Sequence, residues 1–283
     1  MSLKLAVEGE DEISELSHNF NLMSEAINRN IDDYKQIVGN LTHEIKTPLT
    51  SIIGYAELLK NHECDRELQE QALDYILEEG KRLNSITRKM IKLSRIQPGL
   101  LNIERQDVKK MLETSLMAVR MKAGQKQIHF TSDIPEGIFC YGDREFLITM
   151  MENVLDNAIK ASHEGGVIEV RAAGEGGALA YIQVTDHGIG IPADILDKID
   201  QPFFKGDKAH SQGGDGFGMG LAICKSVMLH HHGSLKYESV VGAYTTVTMR
   251  FPAADYLRLE SPEQTDQVKK DSLWVYEASN IIR

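Results

Sequence analysis

The stretch LTHEIKTPLT, residues 41 to 50, sets an imidazole, a carboxylate and a hydroxyl within little more than one helical turn. At about 100° per residue, His43 points roughly 160° to 200° away from both Leu41 and Ile45, so it faces solvent when those two face a core. Thr47 follows four positions later on the same side of the helix, and Glu44 lies beside the histidine. A neutral imidazole, with an ordinary pKa near about 6.5, keeps a free lone pair at pH 7 and can attack an electrophile. Pro48 has no N–H for the carbonyl of Glu44 and its ring crowds that oxygen, so a bend is expected within one turn of His43.

Three further stretches could hold a phosphorylated ligand. ENVLDNAIKAS, residues 152 to 162, follows Gly142-Asp143, a helix N-cap by residue type, and puts the amides of Asn153 and Asn157 on one face. DHGIGIP, residues 186 to 192, closes a strand-like run with an acceptor, Asp186, and then Gly188 and Gly190, which let backbone approach a flat ligand closely. GGDGFGMGLAI, residues 213 to 223, runs from a glycine-rich loop into a helix. The N–H groups and positive end of that helix can hold phosphates, with Gly216, Gly218 and Gly220 leaving the space open. The run His230-His231-His232 does not read as a metal site, because consecutive helical residues point about 100° apart; a helix-end preference for cations accounts for it better.

These groups need two kinds of scaffold. Between Glu12 and Leu59 apolar residues recur at three- and four-residue spacing, which predicts one long amphipathic helix. Polar residues 61 to 67 interrupt it, and Leu68 to Leu93 resume the spacing in a second helix expected to fold back antiparallel. Two helices cannot cover both apolar stripes, so an all-α hairpin completing a homodimeric four-helix bundle is expected. From residue 100 to 252, the runs IERQDV, IHFTSDI, GVIEVRAA, ALAYIQVTD, SLKYESV and TTVTMRF are separated by helical patterns. That predicts an α/β two-layer sandwich with helices on one face of the sheet. No strict βαβ alternation and no G-x-G-x-x-G after the first strand support a Rossmann fold. Gln97-Pro98-Gly99 and Phe251-Pro252 mark the main breaks. The expected domains are residues 1–32, 33–97, 98–253 and a tail, 254–283, with no role assigned.

Composition narrows the field. With 31 basic against 42 acidic residues, the formal charge of -11 argues against nonspecific nucleic-acid binding, which needs surplus Lys and Arg. Cys64, Cys140 and Cys224 are too scattered for a metal knuckle or a disulfide framework, which fits a reducing cytoplasm. No apolar run approaches the roughly 18 residues needed to span a bilayer, so the chain as given is expected to be soluble.

The motif H-E-x-x-T-P-L resembles the phosphoacceptor motif of HisKA-type sensor histidine kinases. The order Asn-x-x-x-Asn, Asp-x-Gly-x-Gly, Gly-x-Gly-x-Gly-Leu resembles the ATP-binding fold shared by histidine kinases, gyrase, MutL and the large heat-shock chaperone. The resemblance implies that His43 takes the γ-phosphoryl group of ATP, that Glu44 polarises its ring, and that Thr47 positions the water that dephosphorylates a response regulator. It further implies that Asn157 coordinates Mg²⁺ bridging the phosphates and that Asp186 binds the adenine amine. Asn153 and Lys160 would line the phosphate side. Gly188, Gly190, Gly216, Gly218, Gly220 and Leu221 would shape the pocket. Phe204, in a phenylalanine box at residues 202 to 205, would precede a mobile lid over residues 205–217. The implied partners are a second copy of the chain and the receiver domain of a response regulator. Residues 10 to 23 resemble the second helix of a HAMP linker, so the chain is expected to be a piece of a longer membrane-anchored receptor.

Departures from the family pattern are Ala161 where an aromatic is frequent, Asp215 near the phosphates, and Tyr244 in the last glycine box. Two other readings exist. An ATP-hydrolysing clamp would share the pocket but activate water with a Glu four residues before the magnesium-binding Asn, where this chain has Asn153, and an amide is no general base. A degenerate, signal-transmitting module would not need His43, Asn157 and Asp186 intact.

Overall fold

Pro48 sits inside helix α1, Glu12–Asn61, without ending it, and its ring is buried. The computed structural model describes residues 12–96, 101–204 and 218–252. Helix α2, Arg66–Arg95, starts where Asp65 accepts from the N–H of Leu68 at 2.9 Å, an N-cap supplied by the polar break. The rings of Tyr55 and Tyr75 stack with centroids 4.8 Å apart and join the two helices near their turn. Ala72 and Ile86 are buried in this hairpin, whereas Leu49, Ile53, Leu73 and Leu77 are exposed on the single chain.

The chain divides into two compact units, up to Arg88 and from Lys89, and the division falls inside α2 rather than at Gln97-Pro98-Gly99. The last turns of α2 belong to the second unit: Ile96 lies in its core, only 4% exposed, and Arg95 approaches Glu145 to 3.9 Å.

The second unit is a two-layer sandwich. Its elements in chain order are β1 Glu104–Asp107, α3 Val108–Gln125, β2 His129–Asp133, β3 Phe139–Gly142, α4 Arg144–Ala161, β4 Val167–Glu175 and β5 Ala178–Asp186, then α5 Gly220–His230, β6 Ser234–Val240 and β7 Tyr244–Arg250. Strand β5 is central: β4 runs antiparallel along one edge, while the other edge meets β3 at Ala178 and β7 from Tyr181 to Asp186. Strand β2 pairs parallel to β4, β1 antiparallel to β3, and β6 antiparallel to β7. Leu112, Leu147, Met150, Met151, Leu155 and Ile223 from the helices pack on Ile168, Val170, Ile182 and Val184 from the sheet. Burying each such side chain contributes about 1.5–3 kcal/mol. Asp143 caps α4, accepting from the N–H groups of Glu145 and Phe146.

Strand β3 is not among the six runs read from the sequence. Only four residues long, it hides beside the Gly142-Asp143 cap signal, and its pairing with β1 is what makes it a strand.

His231 also departs from expectation. It is a buried staple, not a helix-end cation: Nδ1 lies 2.7 Å from the carbonyl of Val227, and Nε2 accepts from the N–H of Asp143 at 3.0 Å. The two contacts fix the neutral form with hydrogen on Nδ1, and burial pushes its pKa below the ordinary histidine value. The unfolded chain therefore binds the proton more readily. The stability His231 contributes is present above about pH 6.5 and is lost as the pH falls below it. The thermal midpoint of His231→Gln should approach that of the unsubstituted chain on acidification from about pH 8 to about pH 5, in parallel melts at each pH. A constant gap would show that His231 does not titrate with unfolding.

Candidate functional site

On α1, His43 and Thr47 are exposed, and Leu41 and Ile45 are half-buried, as the spacing requires. The Thr47 hydroxyl donates to the carbonyl of His43 at 3.3 Å, an i to i-4 bond that ties it to the backbone of the candidate nucleophile. Glu44 turns toward α2, where Arg82 places a guanidinium nitrogen 3.8 Å from its carboxylate and another 3.7 Å from that of Glu79. Sequence reading missed Arg82, because its relation to Glu44 exists only through the antiparallel packing of the hairpin.

The second cluster gathers three stretches separated in the chain. On α4, Asn153 donates through Nδ2 to the carbonyl of Thr149 at 2.8 Å, so its Oδ1 is directed elsewhere. A Cβ placed on Gly220 would sit 3.1 Å from that Oδ1 and 3.7 Å from Nδ2 of Asn157. Both amides thus lie against the first residue of α5, beside the half-buried Leu221 and the N–H groups of the helix start. Lys160 holds Asp156 at 2.7 Å, and Lys122 reaches the same carboxylate at 2.6 Å. Burial opposes ionisation of Asp156, but the two ammonium groups prevail and keep its pKa below the usual range.

The carboxyl end of α4 anchors the loop after β5. The Lys126 ammonium donates to the carbonyls of Ile159, Lys160 and Ser162, while the carbonyl of Ala161 accepts from the N–H of Ile189 at 3.1 Å. Gly188 passes so close to Ala161 that a Cβ would overlap that carbonyl, which explains why glycine stands there. Gly190 lies against Val240, and the loop is tied to the β6–β7 hairpin by bonds from Ile191 to the Ser239 hydroxyl and from Gly242 to the carbonyl of Ile189, each 2.8 Å.

Asp186 ends β5 at this anchored loop. It is 4% exposed, and Oδ1 accepts from the N–H of Gly188 at 3.0 Å. Burial raises its pKa to about 6, against the pull of the Gly188 bond and of His187. Phe203 and Gly218 meet just before α5: the N–H of Phe203 donates to the carbonyl of Gly218 at 2.9 Å, and Phe204, half-buried, donates to the carbonyl of Gln201. Gly218 has φ +63 and its Cβ would strike the backbone of Phe203 and Phe204, so only glycine fits. Gly216 and the expected lid, residues 205–217, lie outside the described residues.

A buried acceptor, a flat glycine-lined loop, two amides and a helix N-terminus together suit a purine nucleotide with its phosphates toward α5. Among the described residues no group of three or more His, Cys, Asp or Glu gathers to hold a metal. A single amide such as Asn157 nevertheless suits magnesium, a hard cation that takes most of its ligands from substrate phosphates and water.

Two family models match the chain: His Kinase A (phospho-acceptor) domain at residues 33–99, and Histidine kinase-, DNA gyrase B-, and HSP90-like ATPase at residues 142–255. Sensor-like histidine kinase SenX3 of Mycobacterium tuberculosis is 33% identical over 234 residues, which are 81% of this chain and 57% of that protein. The chain therefore spans little more than half the length of this relative. Among solved structures, histidine kinase ThkA in complex with response regulator protein TrrA superposes with a TM-score of 0.63 at 21% identity, over 80% of this chain and 63% of that one. Acinetobacter baumannii histidine kinase AdeS gives 0.52 at 19%, over 74% and 96%. At these identities the likeness is one of fold.

Proposed function

Because the chain belongs to the sensor histidine kinases, with their phosphoacceptor and ATPase domains in order, we propose that it phosphorylates itself on His43 from ATP and passes the group to an aspartate of a response regulator. The observation that carries the nucleotide half is the convergence of Asn153, Asn157 and Gly220, with Asp186 held on a loop anchored to the end of α4. The exposed imidazole carries the other half.

In the first step a ring nitrogen of His43 donates its lone pair to the γ-phosphorus. The N–P bond forms as the bond from that phosphorus to its bridging oxygen breaks, and ADP leaves. The ring gains positive charge, which a carboxylate on its other nitrogen offsets; Glu44 fills that role after releasing Arg82. Asn157 would hold magnesium, which when bound offsets the charge of the phosphates. Asp186 accepts from the exocyclic amine of adenine. In the second step the N–P bond breaks and an aspartate oxygen of the receiver domain takes the phosphoryl group. Thr47, beside His43, is placed to orient water for the reverse, dephosphorylating activity. A second copy of the chain covers Leu49, Ile53, Leu73 and Leu77 in a four-helix bundle. The intact receptor is membrane-anchored through segments upstream; among the described residues no helix is long and apolar enough to cross a membrane.

A hydrolysing clamp is disfavoured because Asn153 spends its donor on Thr149 and offers no base. Incubation with γ-labelled ATP and magnesium should leave acid-labile, alkali-stable label on the protein, the signature of a phosphorus–nitrogen bond. Acid-stable label, or rapid phosphate release with no label, would overturn the assignment.

A further inference from the structure

The face of α4 that carries Asn153 and Asn157 continues one turn toward its N-terminus to Thr149, and another to Glu145. Thr149 is buried, 5% exposed, and its hydroxyl accepts from the ammonium of Lys92 at 3.2 Å. Lys92 comes from the last turn of α2, the part that belongs to the second unit, and Arg95 one turn further approaches Glu145. A cation on a different element is thus held at Thr149, the residue whose carbonyl accepts from the Asn153 amide. Among the described residues its partner is a neutral hydroxyl rather than a carboxylate. Lys160, by contrast, shares Asp156 with Lys122. On the same face Glu145 approaches Arg95.

The geometry points to Lys92 as a further nucleotide-binding residue, one that recognises the terminal phosphate of a nucleoside triphosphate through a charge delivered by the end of α2. This rests on the nucleotide reading of the pocket. A triphosphate that starts at the N-terminus of α5, beside Asn157 and Asn153, and runs along the α4 face brings its last phosphate toward Lys92. A diphosphate ends short of it. The residue therefore sets preference for ATP over ADP rather than affinity for adenine, and it lets product leave once the terminal group has moved to His43. Thr149 is its positioning residue, since the hydroxyl fixes the long side chain that would otherwise sample many rotamers.

Titration calorimetry of the full chain with magnesium-ATP and magnesium-ADP tests this. Lys92→Met should weaken ATP by about tenfold and ADP by less than about twofold, and about 0.5 M salt should narrow the gap. Lys92→Arg, which keeps the charge, should restore most of the preference and guards against a merely misfolded Met variant. Equal weakening of both nucleotides, or no change in either, would overturn the role of Lys92. A parent chain that binds neither nucleotide would instead refute the nucleotide reading itself.

Discussion

Glutamine in place of His43 should reduce covalent labelling from γ-labelled ATP by at least about 10³-fold while leaving nucleotide affinity unchanged. His43 is exposed, so its loss removes no core packing. Its backbone carbonyl, the acceptor for Thr47, survives the substitution. Glutamine is close in length but its amide nitrogen has no nucleophilic lone pair. The expected result is a protein that melts like its parent, binds ATP like its parent, and takes up no label. Residual labelling of the same acid-labile kind would mean that another histidine is the acceptor, and mapping the labelled peptide would identify it.

Asparagine at Asp186 should act in opposite directions on stability and binding. The folded-state pKa of about 6, raised by burial, means that the native protein binds this proton more tightly than the unfolded chain. Its contribution is favourable below the unfolded value near about 4 and is lost as the pH rises through about 6, leaving a buried charge that costs about 3 kcal/mol at about pH 8. The substituted amide would carry no charge, and its oxygen can keep the bond from Gly188, so Asp186→Asn should melt higher at about pH 8 and lose that advantage below about pH 5. The second carboxylate oxygen, however, becomes an amino group, which meets the exocyclic amine of adenine donor to donor. Nucleotide affinity should drop by about 100-fold. Raised stability with unimpaired binding would exclude Asp186 as the adenine acceptor. The slopes of Asp186 and His231 are opposite in sign, so each offsets part of the other in the acid profile of the unsubstituted chain.

Local signals in the sequence were enough where one residue decides the outcome. The polar break after α1, the Asp143 cap and the full span of β5, Ala178–Asp186, follow from turn chemistry and alternation. Asn153, Asn157, Asp186, Gly188 and Gly220 stand in short motifs that can be read locally, and the fold sets Asn153 and Asn157 against Gly220 and Asp186 beside Gly188. What stayed hidden depends on partners distant in the chain. Arg82 matters only because α2 returns past Glu44, Lys126 because its side chain reaches three carbonyls at the end of α4, and His231 because α5 delivers it under Asp143. No local motif marks Arg82 or Lys126, and His231 by itself reads as a helix-end residue. Strand β3 was missed for the same reason, its identity lying in β1.

The bond between Phe203 and Gly218 pins the two ends of the intervening stretch to one another independently of what lies between. Closing a loop whose ends are already fixed is insensitive to contour, about 0.6 kcal/mol for each doubling of length. Engineered variants are thus free to lengthen, shorten or rewrite the sequence between Phe204 and Gly218 without disturbing the sandwich, so that stretch can change separately from the fold that carries its ends.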